Sequence, residues 1–301
     1  MRKTGIILLA VLLLAAGAGC AGRPASDLKD MLDNPVALGK YPERIVSLTP
    51  SNTEIVYALG LESKLVGVDA VSDYPEAAQS VEKVGDFNGP NLEAVVALKP
   101  DLVLAGNKLQ QDVIDKMKAL GLTVAAVEAT TYDDIFISIE LVGKLTGAQD
   151  KAAQLVKDMK AKEKAVLDAV AKAGAGKRVY YAMTFGDIGN WTGGPGSFPY
   201  TLIEMCGGKN ITEGMPAAWI DLDQELLVSG DPDIVLLSSD MGGDPAAFST
   251  AAAYKNLSAV KNNKVYVITS NLCSRPGPRI VDGLREFAEY ITGEQIPFPG
   301  E

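Results

Sequence analysis

The chain has 301 residues, 47% of them apolar, and a formal net charge of −10. This length and apolar content predict a substantial core divided between two lobes. The excess of acidic residues argues against a nucleic-acid-binding protein. The complete absence of histidine argues against His-based hydrolysis and against zinc sites built from imidazole.

The start of the chain, MRKTGIILLAVLLLAAGAGC, predicts an export signal, because charged residues are followed by an apolar run and then by small residues. The run is too short for a comfortable membrane span. Its end resembles a bacterial lipobox, in which Cys20 is lipidated, although Gly17 stands where an aliphatic residue is usual. We expect a lipoprotein signal peptide at 1–20 and a tether at 21–40 that holds the exported protein at the membrane by its lipid. Ordinary secretion with an incidental cysteine is the alternative.

Apolar runs rich in β-branched residues recur along the rest of the chain. They are continuous rather than alternating, which is typical of buried parallel strands. The runs are 44–48, 65–69, 101–105, 123–128, 178–183, 233–238 and 264–269.

Amphipathic helical segments lie between several of these strands. After the first strand, the segment SNTEIVYALG predicts a helix with a capping box of Ser51 and Glu54 and a glycine at its end. Segments 109–121 and 133–147 each stop at glycine, and segment 278–293 begins with proline. Strand–helix alternation on this scale predicts an α/β fold.

The alternation is interrupted once, by a long charged stretch at 148–176 without a strand. Its narrow apolar stripe predicts a single rigid helix. We therefore expect an N-terminal lobe at 41–147 and a C-terminal lobe at 177–295, each with a mainly parallel sheet, joined by that helix.

One unit occurs in both lobes: residues 93–104 are EAVVALKPDLVL and residues 225–236 are ELLVSGDPDIVL. Each predicts a short helix, a Pro-Asp turn and a buried strand, with Asn91 as one N-cap and Asp221 or Asp223 as the other. Each glutamate then lies in the first helical turn, where the helix dipole favours it. Alternatively, the two glutamates form equivalent acidic knobs for a two-fold symmetric partner with basic sockets.

Further motifs accompany this unit: RIVSLTPSNTEIVYALG, SDYPEAA, VGDFNGPNLEAVVALKPDLVLA, EMCGGKNI, WIDLDQELLVSGDPDIVLL and SRPGPRIVDGL. Together they resemble the substrate-binding proteins of ABC importers for cobalamin and iron chelates, and within that family the cobalamin binders most. The resemblance extends over nearly all of residues 43–293. It implies the class III periplasmic-binding-protein fold, with one long helix between two lobes and a ligand in the cleft between them.

The resemblance assigns a role to each glutamate of the repeated unit. In the family, one glutamate of each lobe docks into an arginine pocket on a permease subunit, and the matching positions are Glu93 and Glu225. It also implies a set of ligand-binding residues in the cleft. They are Tyr74, Phe87, Phe185, Trp191, Trp219 and Arg275.

The resemblance implies a corrinoid as the transported ligand, and no other cofactor or resident metal. Aromatic faces suit a large flat ligand, whereas an anionic ferric chelate would need several cleft cations and Arg275 is the one candidate. A ferric siderophore or heme, with a tyrosine ligand to iron, is the alternative. An α/β enzyme is a remote one, because both histidine and a G-x-S-x-G elbow are missing.

Two further expectations concern assembly and redox state. We expect a monomer whose partners are the ligand, the permease dimer of an importer and, through the lipid, the membrane, but no nucleic acid. Cys206 and Cys273 remain in an exported chain, so they could pair or stay as separate buried thiols.

Overall fold

A computed structural model describes residues 27–86, 89–106, 111–173 and 176–301 of the chain. The predicted signal peptide, Cys20 and Phe87 lie outside the described residues. Within the described ranges, no helix is both long enough and apolar enough to cross a bilayer.

The strands form two parallel sheets, with short antiparallel ribbons beside them. Their bounds are β1 (Ile45–Ser47), β2 (Leu65–Val68), β3 (Gly85–Asp86), β4 (Gly89–Pro90), β5 (Leu102–Ala105), β6 (Val124–Ala126), β7 (Arg178–Ala182), β8 (Trp191–Gly193), β9 (Lys209–Asn210), β10 (Trp219–Asp221), β11 (Ile234–Ser238) and β12 (Val265–Ile268). The N-terminal sheet has the order β2-β1-β5-β6 and the C-terminal sheet β12-β11-β7-β9. Each apolar run predicted as a buried strand contains a strand, namely β1, β2, β5, β6, β7, β11 and β12, although in β12 only Ile268 is fully buried.

Helices cover both sheets and join them. Their bounds are α1 (Pro50–Ala58), α2 (Leu92–Ala97), α3 (Gln111–Ala119), α4 (Tyr132–Thr146), α5 (Gln149–Ala173), α6 (Phe198–Met205), α7 (Gln224–Gly230), α8 (Pro245–Thr250), α9 (Ser258–Lys261), α10 (Ser270–Ser274) and α11 (Ile280–Thr292). The fold class is therefore as predicted: α/β, with two parallel-sheet lobes and one long helix between them.

The connecting helix α5 is 25 residues long and packs on α4 on one side and on α11 on the other. Its apolar stripe, including Val156, Met159, Val166 and Val170, is buried. These residues belong to one hydrophobic cluster that also contains Ile45 of the N-terminal sheet and residues of the C-terminal sheet. One face of the helix thus belongs to a hydrophobic cluster that both lobes share, while the rest of the helix is exposed or half-buried.

The described part of the predicted tether, from residue 27 onward, lies against the N-terminal lobe instead of extending from it. The Asp30 carboxylate is buried and accepts hydrogen bonds from the backbone N–H groups of Leu32, Asn34 and Ala126, at 2.9, 2.9 and 3.1 Å. Met31 N–H donates to the Ala126 carbonyl at 3.0 Å. The composition of this segment suggested a linker, but one buried carboxylate fixes it to the edge of β6.

Cys206 and Cys273 are both buried and unpaired. Their thiols donate weakly to the carbonyls of Leu284 and Ser270 at 3.5 and 3.3 Å. Burial raises the pKa of both thiols far above the usual range, so they behave as inert core residues.

Candidate functional site

The repeated unit of the sequence forms the same structure in both lobes. Asn91 caps α2 by accepting from Ala94 N–H at 3.1 Å, and Asp223 caps α7 by accepting from Glu225 N–H at 2.7 Å. Glu93 and Glu225 are each the second residue of their helix, and both are exposed. Among the described residues, neither glutamate has an ion-pair partner. We refer to α2 and α7 as the docking helices, after the role that the sequence resemblance predicts for Glu93 and Glu225.

In the N-terminal lobe, an arginine and an aspartate fix the docking helix to the sheet. The Asp101 carboxylate accepts from Arg44 N–H at 3.1 Å, and the Arg44 guanidinium donates twice to the Leu98 carbonyl, at 2.9 and 2.7 Å. Leu98 is the C-cap of α2. The end of the helix is therefore tied to the start of β1, and Lys99 completes the turn with a positive φ of 47°.

The C-terminal lobe repeats this arrangement: Gly230, Asp231 and Asp233 lie 132 positions after Leu98, Lys99 and Asp101, and Arg178 lies 134 positions after Arg44. The Asp233 carboxylate accepts from Arg178 N–H at 2.8 Å, and the Arg178 guanidinium donates to the Gly230 carbonyl at 3.1 Å and to Asp233 at 3.2 Å. The Arg178 guanidinium holds the pKa of Asp233 below its usual range. Asp231 has a φ of 38°, so the two turns share even their backbone strain.

Sequence reasoning identified the two glutamates but missed the two arginines. The signal was present, since an arginine starts the first strand of each lobe, in RIVS and RVYY. Only the structure shows that each arginine is hydrogen-bonded to the docking helix of its own lobe.

Two tryptophans lie on one face of the short ribbon formed by β8 and β10. The strands are antiparallel, with Trp191 opposite Asp221 and Trp219 opposite Gly193. Directly opposite residues share a face, as do residues two apart, so Trp191 and Trp219 are diagonal neighbours, with Cα atoms roughly 7–8 Å apart. Their exposed fractions are 39% and 43%, which is unusual for so large an apolar side chain.

A buried polar network holds the loop that carries Trp191. Tyr254 donates its hydroxyl proton to Asn190 Oδ1 at 2.7 Å, and Asn190 in turn donates to the Leu222 carbonyl at 3.2 Å. Phe185 is half-buried and packs edge-on against Phe248, with ring centroids 5.2 Å apart. Phe185 thus supports the loop from the core side, while Trp191 and Trp219 present their surfaces to solvent.

The N-terminal lobe has a concavity of about 240 Å3 at the carboxyl ends of β1 and β2. Leu48, Pro50, Val71 and Pro90 contribute its apolar lining, and Asp69 also lines it. Burial raises the pKa of Asp69, and a hydrogen bond from Ser72 partly opposes this shift. Ligands of α/β folds bind outside the carboxyl ends of parallel strands, so this concavity is the N-terminal wall of the candidate cleft.

Five charged and aromatic residues connect the two lobes, and we call them the junction cluster: Glu54, Asp73, Tyr74, Arg275 and Arg279. Arg279 donates to both Glu54 oxygens, at 2.9 and 2.6 Å, and its guanidinium carbon lies 3.6 Å from the centroid of the Tyr74 ring. Arg275 pairs with Asp73 and lies 4.0 Å from the Glu54 carboxylate.

Several expectations are corrected or refined at the junction cluster. Glu54 does not complete a capping box with Ser51: Thr49 caps α1, and the Glu54 carboxylate instead binds Arg279 of the opposite lobe. Burial raises the pKa of Glu54, and Arg279 counteracts this shift. The Arg275 side chain is only 12% exposed, and its bond to Asp73 lowers the pKa of that carboxyl.

Tyr74 lines a second concavity, of about 530 Å3, to which both lobes contribute. Tyr57 and Pro75 belong to its N-terminal side, and Pro278 and Arg279 to its C-terminal side.

The structure therefore places the predicted ligand residues in three positions: Trp191 and Trp219 on the ribbon, Tyr74 and Arg275 in the junction cluster, and Phe185 behind the ribbon. In the described ranges, no group of His, Cys, Asp and Glu side chains is arranged to hold a metal ion.

Comparison with known proteins gives the family directly. A family described as periplasmic binding protein matches residues 45–272. The chain belongs to the periplasmic binding protein family. Its members bind and deliver solutes, which confirms the prediction of a binding role rather than catalysis.

Among curated relatives of this periplasmic binding protein, an uncharacterized ABC transporter substrate-binding lipoprotein of Bacillus subtilis is 34% identical over 312 residues, covering 97% of this chain and 98% of the relative. A cobalamin-binding protein of Halobacterium salinarum is 31% identical over 277 residues, covering 89% of this chain and 74% of the relative.

Two solved structures are equally similar in sequence and differ in what their descriptions say they bind. The vitamin B12 binding protein of Vibrio cholerae has a TM-score of 0.72 and 28% identity, with 83% of this chain and 96% of that chain covered. A possible iron-binding protein of Staphylococcus epidermidis has a TM-score of 0.73 and 28% identity, with 84% and 99% covered.

Proposed function

We propose that this periplasmic binding protein is an extracytoplasmic lipoprotein that captures a corrinoid, cobalamin, between its lobes and delivers it to the permease dimer of an ABC importer. The observation that supports the ligand best is the pair of exposed tryptophans on one face of the β8–β10 ribbon. Two indole faces can bury a large flat ring, and each aromatic side chain contributes on the order of 150–250 Å2.

The charges of the junction cluster support a neutral or weakly charged ligand. Arg275 and Arg279 are the two arginines between β12 and α11, and both already pair with carboxylates of the other lobe. A ferric catecholate carries several negative charges and would require unpaired cations. Displacing Arg275 from Asp73 to bind such an anion would leave a carboxylate without its partner.

A ferric siderophore or heme is the second candidate ligand. The observation in its favour is that the structure described as possibly iron-binding matches this chain as well as the vitamin B12 binding protein does. Tyr74 is 45% exposed and supplies a phenol of the kind that ligates heme iron.

The test is a titration of residues 21–301 with cyanocobalamin. Trp191 and Trp219 are the only tryptophans of the chain, so indole fluorescence reports on the ribbon alone. We expect cyanocobalamin to quench this fluorescence with one-to-one stoichiometry, and calorimetry to give the same stoichiometry. The expected Kd is at or below about 1 µM, which corresponds to a binding free energy near −8 kcal/mol. Saturable binding of hemin or a ferric siderophore without any response to cyanocobalamin would favour the second candidate.

Delivery to the importer rests on Glu93 and Glu225. Each lies at the same position of a docking helix that is fixed to its lobe in the same way, so the two carboxylates form a matched pair. Such a pair suits two arginine sockets related by two-fold symmetry. We expect Glu93→Gln and Glu225→Gln each to weaken binding to the importer in nanodiscs while leaving cobalamin binding unchanged.

Membrane attachment rests on Cys20. We expect Cys20→Ser to release the exported protein from the membrane fraction, because one cysteine would carry the lipid anchor. A Cys20→Ser protein that stays in the membrane fraction would contradict the lipoprotein assignment.

A further inference from the structure

Each docking helix exposes a valine three residues after its glutamate. Val96 follows Glu93 in α2 with 40% of its surface exposed, and Val228 follows Glu225 in α7 with 43% exposed. Residues three apart lie on the same side of a helix. Each docking helix therefore shows solvent an acid and an apolar side chain together.

The fold does not require these valines to be exposed. The preceding residues, Val95 and Leu227, are fully buried and already attach the docking helices to their lobes. A single exposed apolar residue needs no explanation. Here, however, the same residue type occurs at equivalent positions, 132 apart, with nearly the same exposure in both lobes.

We infer that Val96 and Val228 are contact residues for the permease dimer, each covering the ion pair made by the neighbouring glutamate. This inference rests on the proposed docking function and deepens it. A partner with two symmetric basic sockets would present an apolar rim around each socket, and a valine packed on that rim keeps water away from the carboxylate. Leu226, 53% exposed, enlarges the apolar surface in the C-terminal lobe.

The physical reason for such a rim is the weakness of exposed ion pairs. A carboxylate–guanidinium contact open to solvent is worth about 0–1 kcal/mol and is screened by salt. Contacts that exclude water around a central interaction strengthen it even when they contribute little themselves. The valines therefore determine both the affinity of docking and its sensitivity to salt.

The experiment measures binding of the mature chain to its importer, from the same organism, in nanodiscs at two salt concentrations, such as 50 and 500 mM. We expect Val96→Ser and Val228→Ser each to weaken binding by about tenfold and to make the loss of affinity with salt steeper. Glu93→Gln and Glu225→Gln should weaken binding but make it less dependent on salt. The control is Ile137→Ser on α4, which removes an apolar side chain that is more exposed than either valine, at 53%, and should change neither quantity.

The outcomes separate this inference from the function on which it rests. If the wild-type chain does not bind the importer at either salt concentration, the docking function fails, and the inference with it. If binding depends on both glutamates but the double variant Val96→Ser, Val228→Ser binds like wild type at both concentrations, the inference alone is overturned. All four positions are on the surface, so unchanged melting temperatures will show that the variants are folded.

Discussion

Glu54 and Arg279 form a two-bond ion pair between the lobes, at 2.9 and 2.6 Å, with only 3% of the glutamate side chain exposed. Glu54 belongs to α1 of the N-terminal lobe, and Arg279 immediately precedes α11 of the C-terminal lobe. Together with α5, this pair connects the lobes at a second point. It therefore limits how far the cleft can open on the side of the junction cluster.

Removing one partner of this ion pair should be costly. We expect Glu54→Ala to lower the free energy of unfolding by up to about 3 kcal/mol, because it removes the main counter-ion of the Arg279 charge, whose side chain is only 18% exposed. Glu54→Gln should cost less, since the amide oxygen still accepts one hydrogen bond. Urea denaturation, monitored by circular dichroism, measures the free energy of unfolding of both variants.

The matched control for Glu54 is Glu62→Ala, which removes an exposed carboxylate from the wall of the same concavity. It should change stability by less than about 0.5 kcal/mol. Equal losses of stability in Glu54→Ala and Glu62→Ala would show that the ion pair stabilises the fold no more than an exposed carboxylate does.

The two tryptophans should dominate cobalamin binding. We expect Trp219→Ala and Trp191→Ala to weaken binding of cyanocobalamin ten- to a hundredfold, about 1–3 kcal/mol each, because each removes a stacking face. Isothermal titration calorimetry is the measurement, since one fluorophore is lost. Ile188→Ala is the control from the same loop, at 64% exposure, and an effect as large as that of the tryptophans would speak against stacking.

The ionised Asp233 carboxylate should stabilise the fold at neutral pH, and this contribution to stability should be lost in acid. Because Arg178 lowers the pKa of Asp233, the ionised form stabilises the fold above the unfolded-state pKa of about 3.9, and this stability is lost as the pH falls through the lower folded-state value. The side chain is 38% exposed, so the effect stays below about 1 kcal/mol.

The corresponding measurement compares wild type with Asp233→Asn from pH 7 to pH 3. The stability difference should be constant down to about pH 5 and shrink below about pH 4. A difference that persists undiminished at pH 3 would mean that the geometry of the turn matters rather than the charge.

The buried carboxylate of Asp30 should stabilise the N-terminal lobe. We expect Asp30→Ala to cost about 1–3 kcal/mol, because three backbone N–H groups lose their acceptor. Asp33→Asn, three residues later on the surface, should have an effect below about 0.5 kcal/mol. Thermal unfolding of both variants tests this, and equal melting temperatures would contradict it.

The sequence was sufficient for the architecture because its signals are local and periodic. Continuous apolar runs such as 233–238 identify buried strands, and the long polar stretch around α5 identifies the connecting helix. The repeated unit was visible because both copies share Glu, Pro and Asp at the same spacing, which also located both docking helices and Asn91 as a cap.

The features that the sequence did not predict depend on contacts between distant parts of the chain. Glu54 had the spacing of a capping residue, but its partner Arg279 is 225 positions away, and no local pattern reports that pairing. The segment around Asp30 has the composition of a linker, yet it binds Ala126, 96 positions later. The diagonal placement of Trp191 and Trp219 depends on the register of two three-residue strands, which are too short to predict.

The continuous core described along α5 has a consequence for how this protein unfolds. Because one apolar cluster includes the connecting helix and residues of both sheets, neither half can melt without exposing the part of this cluster that the other half contributes. A calorimetric scan should show a single endotherm with equal calorimetric and van't Hoff enthalpies. Ligand held by the C-terminal ribbon would then raise the melting temperature of the entire chain, including the N-terminal half that lies across the cleft.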